Sequence, residues 1–260
     1  MSKDRRDLGF LITTNDASWR HFDRVLGEFT RLGFPFAVNF DHCCNDTKRT
    51  FKAHPLCVGW HETDDPKDLF DETHKQRALD VLYAREFAWA AYLDTDEVFD
   101  RRAPEEIAKI LGSSGVDLYW CPLLDFWGDD EHYRTDGPLG PCQAGDWGDG
   151  SVRDKQFRNK FYHLRADGAW RYLHADVHGP YFLDRKTGER KREREARSRL
   201  HVLHYGLIDL DLIRFKLEQW RRVYTPALGE FKHGGFYEYL LDPALTPEVR
   251  DFCYATWNGE

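Results

Sequence analysis

The chain has 260 residues, 41% hydrophobic and 32% charged, enough for one substantial domain with a real core in a soluble protein. A net charge of −8 disfavours a general polyanion binder, and no stretch nears the ~20 apolar residues that span a bilayer. Disordered, collagen-like, coiled-coil and membrane-spanning classes are thereby excluded, and the unusual number is the aromatic one: 18 Phe, 12 Tyr and 9 Trp against a single Met.

Met1 to Asp7 run directly into a strand-like stretch, so no secretory leader is expected. Leu8 to Thr13 predict a first strand, closed by Thr14-Asn15-Asp16 with helix N-cap chemistry. Trp19, Phe22, Leu26, Phe29 and Leu32 then recur at helical spacing, and Gly33 closes that helix. Phe34–Phe40 reads as a second strand ending at Asp41, and Leu56–Trp60 as a third. A helix from about Thr73 to Phe87 points Leu79, Leu82 and Tyr83 inward, and Trp89–Leu93 is a fourth strand.

Pro104 opens another helix, and a strand follows at Val116–Trp120. Residues 125–155 are a long aperiodic stretch rich in Gly, Asp and Trp, expected to be a binding loop. Short strands are expected near 156–163, 169–173, 177–183 and 200–204. Ile208–Tyr224 is expected helical with Leu212, Phe215 and Trp220 inward, followed by helices at Phe236–Leu241 and after Thr246-Pro247-Glu248.

Alternating strands and helices imply a mostly parallel sheet covered by helices, with ligands beyond the carboxyl ends of its strands. Asp94-Thr95-Asp96-Glu97 stands there, directly after the fourth strand. Two carboxylates one residue apart suit a hard divalent cation, Mg²⁺ or Mn²⁺, whose remaining ligands are commonly phosphate oxygens. Charge is segregated around this motif. Residues 94–150 hold 14 acidic and 4 basic residues, whereas Arg185–Arg199 holds 8 basic and 3 acidic. That basic run is read as a solvated hairpin, a lid over a diphosphate or an anchor for a nucleic acid. Six cysteines without a C-x-x-C pair read as reduced thiols of a cytoplasmic protein.

The order of strands, together with Lys75-Gln76-Arg77 and Trp89-Ala90-Ala91-Tyr92-Leu93-Asp94-Thr95-Asp96-Glu97, resembles the GT-A nucleotide-diphospho-sugar glycosyltransferases of the family-2 type. Looser matches follow at Phe157-Arg158-Asn159-Lys160, at Trp170 to Asp176, and at Leu203-His204-Tyr205-Gly206 before a helix containing Lys216. The resemblance implies a GT-A (Rossmann-like) α/β fold, with a small antiparallel element and a helical C-terminus. It divides the chain into a catalytic domain over 1–205 (nucleotide-sugar half about 1–100, acceptor half about 101–205) and a helical extension over 206–260.

On that resemblance, Asp94, Asp96 and His204 hold Mn²⁺ or Mg²⁺. Thr13, Asn15, Asp41, Lys75, Arg77, Asp94 and Thr95 bind the donor, with a UDP-sugar favoured, and Asp176 or Asp125 is the catalytic carboxylate. The second-strand motif departs from the family's usual Asp-Asp-Gly-Ser, being Asp41-His42-Cys43-Cys44. The acceptor is left as a glycan, a small molecule or a modified nucleic acid. Two other readings stay open: a nucleotidyltransferase, which normally has a Gly-rich loop after the first strand, and a non-catalytic carbohydrate-binding protein using the aromatics as sugar platforms.

Overall fold

The computed structural model describes residues 7–64, 71–134, 157–164, 168–172, 180–219, 221, 240, 241, 243 and 249–251. Its centre is a nine-stranded mixed sheet. The strands are β1 (Leu8–Thr14), β2 (Phe36–Asp41), β3 (Cys57–Thr63), β4 (Trp89–Tyr92), β5 (Glu97–Phe99), β6 (Leu118–Asp125), β8 (Phe157–His163), β11 (Glu195–Arg197) and β12 (Val202–His204). They lie in the order β3-β2-β1-β4-β8-β6-β12-β5, with β11 also paired to β6. Strands β3, β2, β1 and β4 are mutually parallel; β8 runs against both β4 and β6, and β12 is parallel to β6. All but β8 and β5 therefore run one way, the mostly parallel α/β sheet expected. Consequently the carboxyl ends of β1, β2, β4, β6 and β12 share one edge of the sheet.

Side-chain alternation builds two cores. Leu8, Phe10 and Ile12 of β1 face helices α1 (Phe22–Leu32), α2 (Asn45–Lys52) and α4 (Ala103–Leu111), meeting Phe29, Phe51 and Ile107. Leu11, Ala90 and Tyr92 face the other way, onto α3 (Asp71–Ala84) and the antiparallel hairpin β9 (Gly168–Arg171) and β10 (Tyr181–Asp184). The aromatic excess is largely spent here. Phe29 stacks on Phe36 at 4.5 Å, Phe22 meets Phe51 edge-on at 5.0 Å, and Trp170 packs on Phe182 at 4.8 Å.

Several elements depart from the sequence-based expectation. The helix expected from residue 16 begins as a 3₁₀ segment over Asp16–His21. Its three-residue turn rotates the apolar stripe, so Trp19 is 63% exposed instead of inward. Helix α2, with Phe51 as its one buried apolar residue, was not expected at all. Helix α5 (Leu210–Gln219) buries Leu212, Ile213 and Leu217, which leaves Phe215 on the opposite face, about half exposed. Within the 125–155 stretch, β7 (His132–Arg134) pairs antiparallel with β13 (Val249–Asp251), so a strand stands where the last helix was expected. Trp220, Trp147 and most of residues 236–241 lie outside the described residues.

The basic run is anchored to the fold at a few points, while most of its side chains stay exposed as expected of a solvated hairpin. Arg194 makes a two-pronged pair with buried Asp117, Arg185 donates to the carbonyls of Leu164 and Gly168, and β11 joins the sheet. Among the described residues, Cys43, Cys44, Cys57 and Cys121 are free thiols, and no helix is long and apolar enough to cross a membrane.

Candidate active site

The shared carboxyl edge gathers the residues that the sequence singles out. Thr14 ends β1, Asp41 ends β2, Asp94 follows β4, and Asp125 and His204 end β6 and β12. The turn Asp94-Thr95-Asp96 joins β4 to the reversed strand β5, whose Glu97 is the register partner of His204. This turn is pinned at both ends. Glu97 Oε2 accepts the Asp94 N–H at 2.9 Å and also takes the ammonium of fully buried Lys160, while the Tyr205 N–H donates to the Asp96 carbonyl at 2.8 Å.

The two aspartates face different surroundings. Asp94 is half-buried and its carboxylate takes the hydroxyl of Tyr92. Lys75 and Lys160 lie over the Tyr92 ring at 4.7 and 4.8 Å. Burial, then the neighbouring Glu97 carboxylate, pushes Asp94 towards its neutral form despite the two lysines. Asp96 is buried beneath β12 and α5. Lys216 Nζ donates to its Oδ2 at 2.8 Å, and His204 Nε2 lies 3.6 Å from the same oxygen. Burial opposes the Asp96 charge, but Lys216 and His204 outweigh it and hold the carboxyl well below the usual range.

His204 is held from behind. Asp125, 2% exposed, engages its Nδ1, which turns Nε2 towards Asp96. Burial alone would strip the imidazole of its second proton, yet Asp96 and Asp125 together raise its pKa to about 10. Gly206 completes this corner, because a Cβ there would sit 2.5 Å from Asp96 Oδ2 and 2.6 Å from His204 Nε2.

Two of the three expected metal ligands thus converge and the third does not. Asp94 turns to Tyr92, and among the described residues no group of three or more His, Cys, Asp or Glu side chains forms a metal cage. The pair Asp96–His204 nonetheless fits a divalent cation in kind, one hard oxygen and one imidazole nitrogen that would give up its proton as a cation binds.

Of the expected donor contacts, Lys75 reaches the cluster, buried beside Asp94. Arg77 donates to Oγ1 of Thr63, the register partner of Asp41 on the same edge, at 2.7 Å. Asp41 Oδ1 is paired with His42 Nδ1 at 2.6 Å, while Thr13 and Asn15 are half-buried on the same edge. Thr95 is buried inside the turn. Asp125 supports His204 instead of standing open to a substrate, and Asp176 lies outside the described residues.

Three neighbours escaped the sequence reading. His21, at the end of the 3₁₀ segment, is 3% exposed and its Nε2 has no hydrogen-bond partner. Burial lowers its pKa to about 4, with the charges of Asp96, Lys216, Arg24 and His204 acting on it. Arg24 lies 3.7 Å over the Tyr205 ring, which stacks on Phe126 at 4.6 Å. Lys216 was noted only as part of a helix. The one signal that could have marked His21 and Arg24 is position, just beyond the carboxyl end of the first strand.

No protein-family model matches the chain, and no curated protein does. Among solved structures the chain is similar to S. aureus TarS. The likeness to TarS 1–349 has 10% identity and a TM-score of 0.42, covering 90% of this chain and 69% of that one. The same segment in complex with UDP gives 10% identity and a TM-score of 0.43 over the same shares. A further TarS structure gives 10% and 0.44, covering 90% of this chain and 42% of that one.

Proposed function

We propose that the chain is a glycosyltransferase that moves a hexosyl or pentosyl group from a nucleotide-diphosphate donor, assisted by Mn²⁺ or Mg²⁺. The observation that carries this reading is the convergence of Asp96 and His204, 108 residues apart in the sequence, to 3.6 Å at the carboxyl edge of the sheet. Asp96 and His204 would hold the cation, with diphosphate oxygens completing its shell, and the cation would supply neutralisation of the charge building on the leaving group.

The chain's own residues divide the remaining work. Lys75 places positive charge beside Asp94 on the sheet edge, where an anionic donor is attracted. Asp41 is the donor contact at the end of β2, and a UDP-sugar remains the favoured donor on the family resemblance. Asp125 is a positioning residue that fixes the His204 ring. The acceptor proton then falls to another carboxylate, for which Asp176 is the candidate. The acceptor is a glycan, a small molecule or a modified nucleic acid, since the basic run keeps most of its cationic side chains exposed. Free Cys43, Cys57 and Cys121 suit the reducing cytoplasm.

The test is a thermal-shift screen of nucleoside diphosphates and their sugars with and without Mn²⁺. A ligand at a hundred times its Kd stabilises the native state by about 2.7 kcal/mol. A Mn²⁺-dependent rise in Tm with UDP or a UDP-sugar, lost in Asp96→Ala, is expected. No rise with any nucleotide at millimolar concentration overturns the reading.

A further inference from the structure

The carboxylate on which the proposed cation seat depends is already engaged. Lys216 reaches it from α5, 120 residues further along the chain, with Nζ 2.8 Å from Asp96 Oδ2. The Asp96 side chain is 7% exposed and that of Lys216 20%, so the pair is largely shielded from solvent. A buried carboxylate with no counter-ion is costly, and in the ligand-free protein Lys216 provides one. His204 faces the same oxygen from β12, and the buried His21 of the 3₁₀ segment lies near enough to feel the Asp96 charge.

A divalent cation shared by His204 and Asp96 would sit at Oδ2, the oxygen that Lys216 engages, at an Mg–O or Mn–O distance of about 2.1 Å. An ammonium cannot stay within hydrogen-bond distance of that oxygen beside a second, doubly charged cation without strong repulsion. Lys216 can leave without disturbing the helix, because its charge sits on a flexible four-carbon stem.

We propose that Lys216 is an exchangeable internal counter-ion of Asp96: it excludes divalent cations from the ligand-free protein and yields its place when the anionic donor draws its ammonium away. This rests on the reading of Asp96 as a cation seat. It gives that seat a regulation, since donor and cation then bind with positive coupling, each tightening the other by the same factor.

The experiment titrates Mn²⁺ into the full chain by calorimetry, with and without UDP, for wild type, K216M and K216R. Without UDP, K216M is expected to bind Mn²⁺ about tenfold more tightly than wild type, the scale of one lost charge-assisted hydrogen bond. K216R, which keeps the cation, is expected to stay weak. UDP is expected to tighten Mn²⁺ binding to wild type and to do so far less in K216M. Should K216M not fold, K216Q makes the same comparison with a polar side chain. If wild type binds Mn²⁺ and the folded variant binds no more tightly, the counter-ion proposal fails and the cation seat stands. If no protein binds Mn²⁺ even with UDP, both are overturned.

Discussion

Asp125 and His204 are register partners at the ends of two adjacent parallel strands, and their side chains meet through the imidazole Nδ1. Neighbouring strands in register present partner residues on one face, so the backbone ladder itself sets the His204 ring. Asp125→Asn keeps the shape and removes the charge. The expected result is an intact fold with metal affinity or activity down by about 10- to 100-fold, the usual cost of losing an outer partner of a ligating histidine. A Mn²⁺ titration checks it, alongside NMR of the His204 ring nitrogens, whose pKa should fall once the Asp125 charge is gone; unchanged affinity would return Asp125 to a purely structural role.

Gly206 is required by space rather than by backbone conformation. Its neighbours Asp96 Oδ2 and His204 Nε2 stand 2.5 and 2.6 Å from where a Cβ would be. Gly206→Ala should therefore push these two apart while the cores, built elsewhere, hold. The expected stability loss is about 1–3 kcal/mol, the range for overpacking, with Mn²⁺-dependent binding of UDP abolished. Calorimetry on the folded variant decides the matter, and normal UDP and Mn²⁺ binding would exclude the close approach.

The sheet was legible because β1, β2 and β4 are continuous apolar runs with both faces buried, and each ends in a polar cluster that marks the binding edge. Helix α2 was not, since Asn45–Lys52 carries no apolar stripe. What fixes its start is distant: Asp16 accepts the Cys44 N–H at 2.9 Å and the Thr47 hydroxyl at 2.7 Å. The sequence marked Asp16 as a cap for its own helix, and the fold spends it on another. In the same way, Asp94 and Asp96 read as one paired motif, but their separate partners, Tyr92 against Lys216 and His204, come from different elements. Asp16→Ala should cost about 1 kcal/mol, as loss of a cap does, and should speed hydrogen exchange in residues 45–52 selectively. Uniform exchange across the chain would argue against the cap.

Asp100 gives the fold an acid-sensitive anchor. It is 1% exposed and accepts the N–H groups of Arg102 at 2.8 Å and His201 at 3.0 Å, besides pairing with the Arg102 guanidinium at 2.7 Å. Burial works against its charge, but the His201 and Arg102 hydrogen bonds win and hold its pKa at about 2. A carboxyl lowered on folding contributes stability that is complete above its unfolded pKa near 3.9 and is lost as pH falls through about 2. Asp100→Asn should thus destabilise by about 2 kcal/mol at neutral pH, with the gap closing below pH 4. Urea midpoints from pH 7 to pH 2 test this, and a gap independent of pH would point to lost packing.

Lys160 and Glu97 form a buried pair at the base of the Asp94–Asp96 turn, 2% and 4% exposed, with Asp94 alongside. The desolvation of both charges is already incurred by the fold, so removing one partner is worse than removing both. Lys160→Met should leave Glu97 charged and uncompensated, at a cost of about 3–5 kcal/mol, and push Asp94 further towards its neutral form. Adding Glu97→Gln should recover part of that loss, although the new side-chain amide would still have to accept the Asp94 N–H that pins the turn. Chemical denaturation of the wild type, both single variants and the double variant measures the coupling directly. Additive losses would mean that the two side chains do not act as a pair, and that Glu97 holds the turn carrying Asp96 through its bond to the Asp94 N–H without help from Lys160.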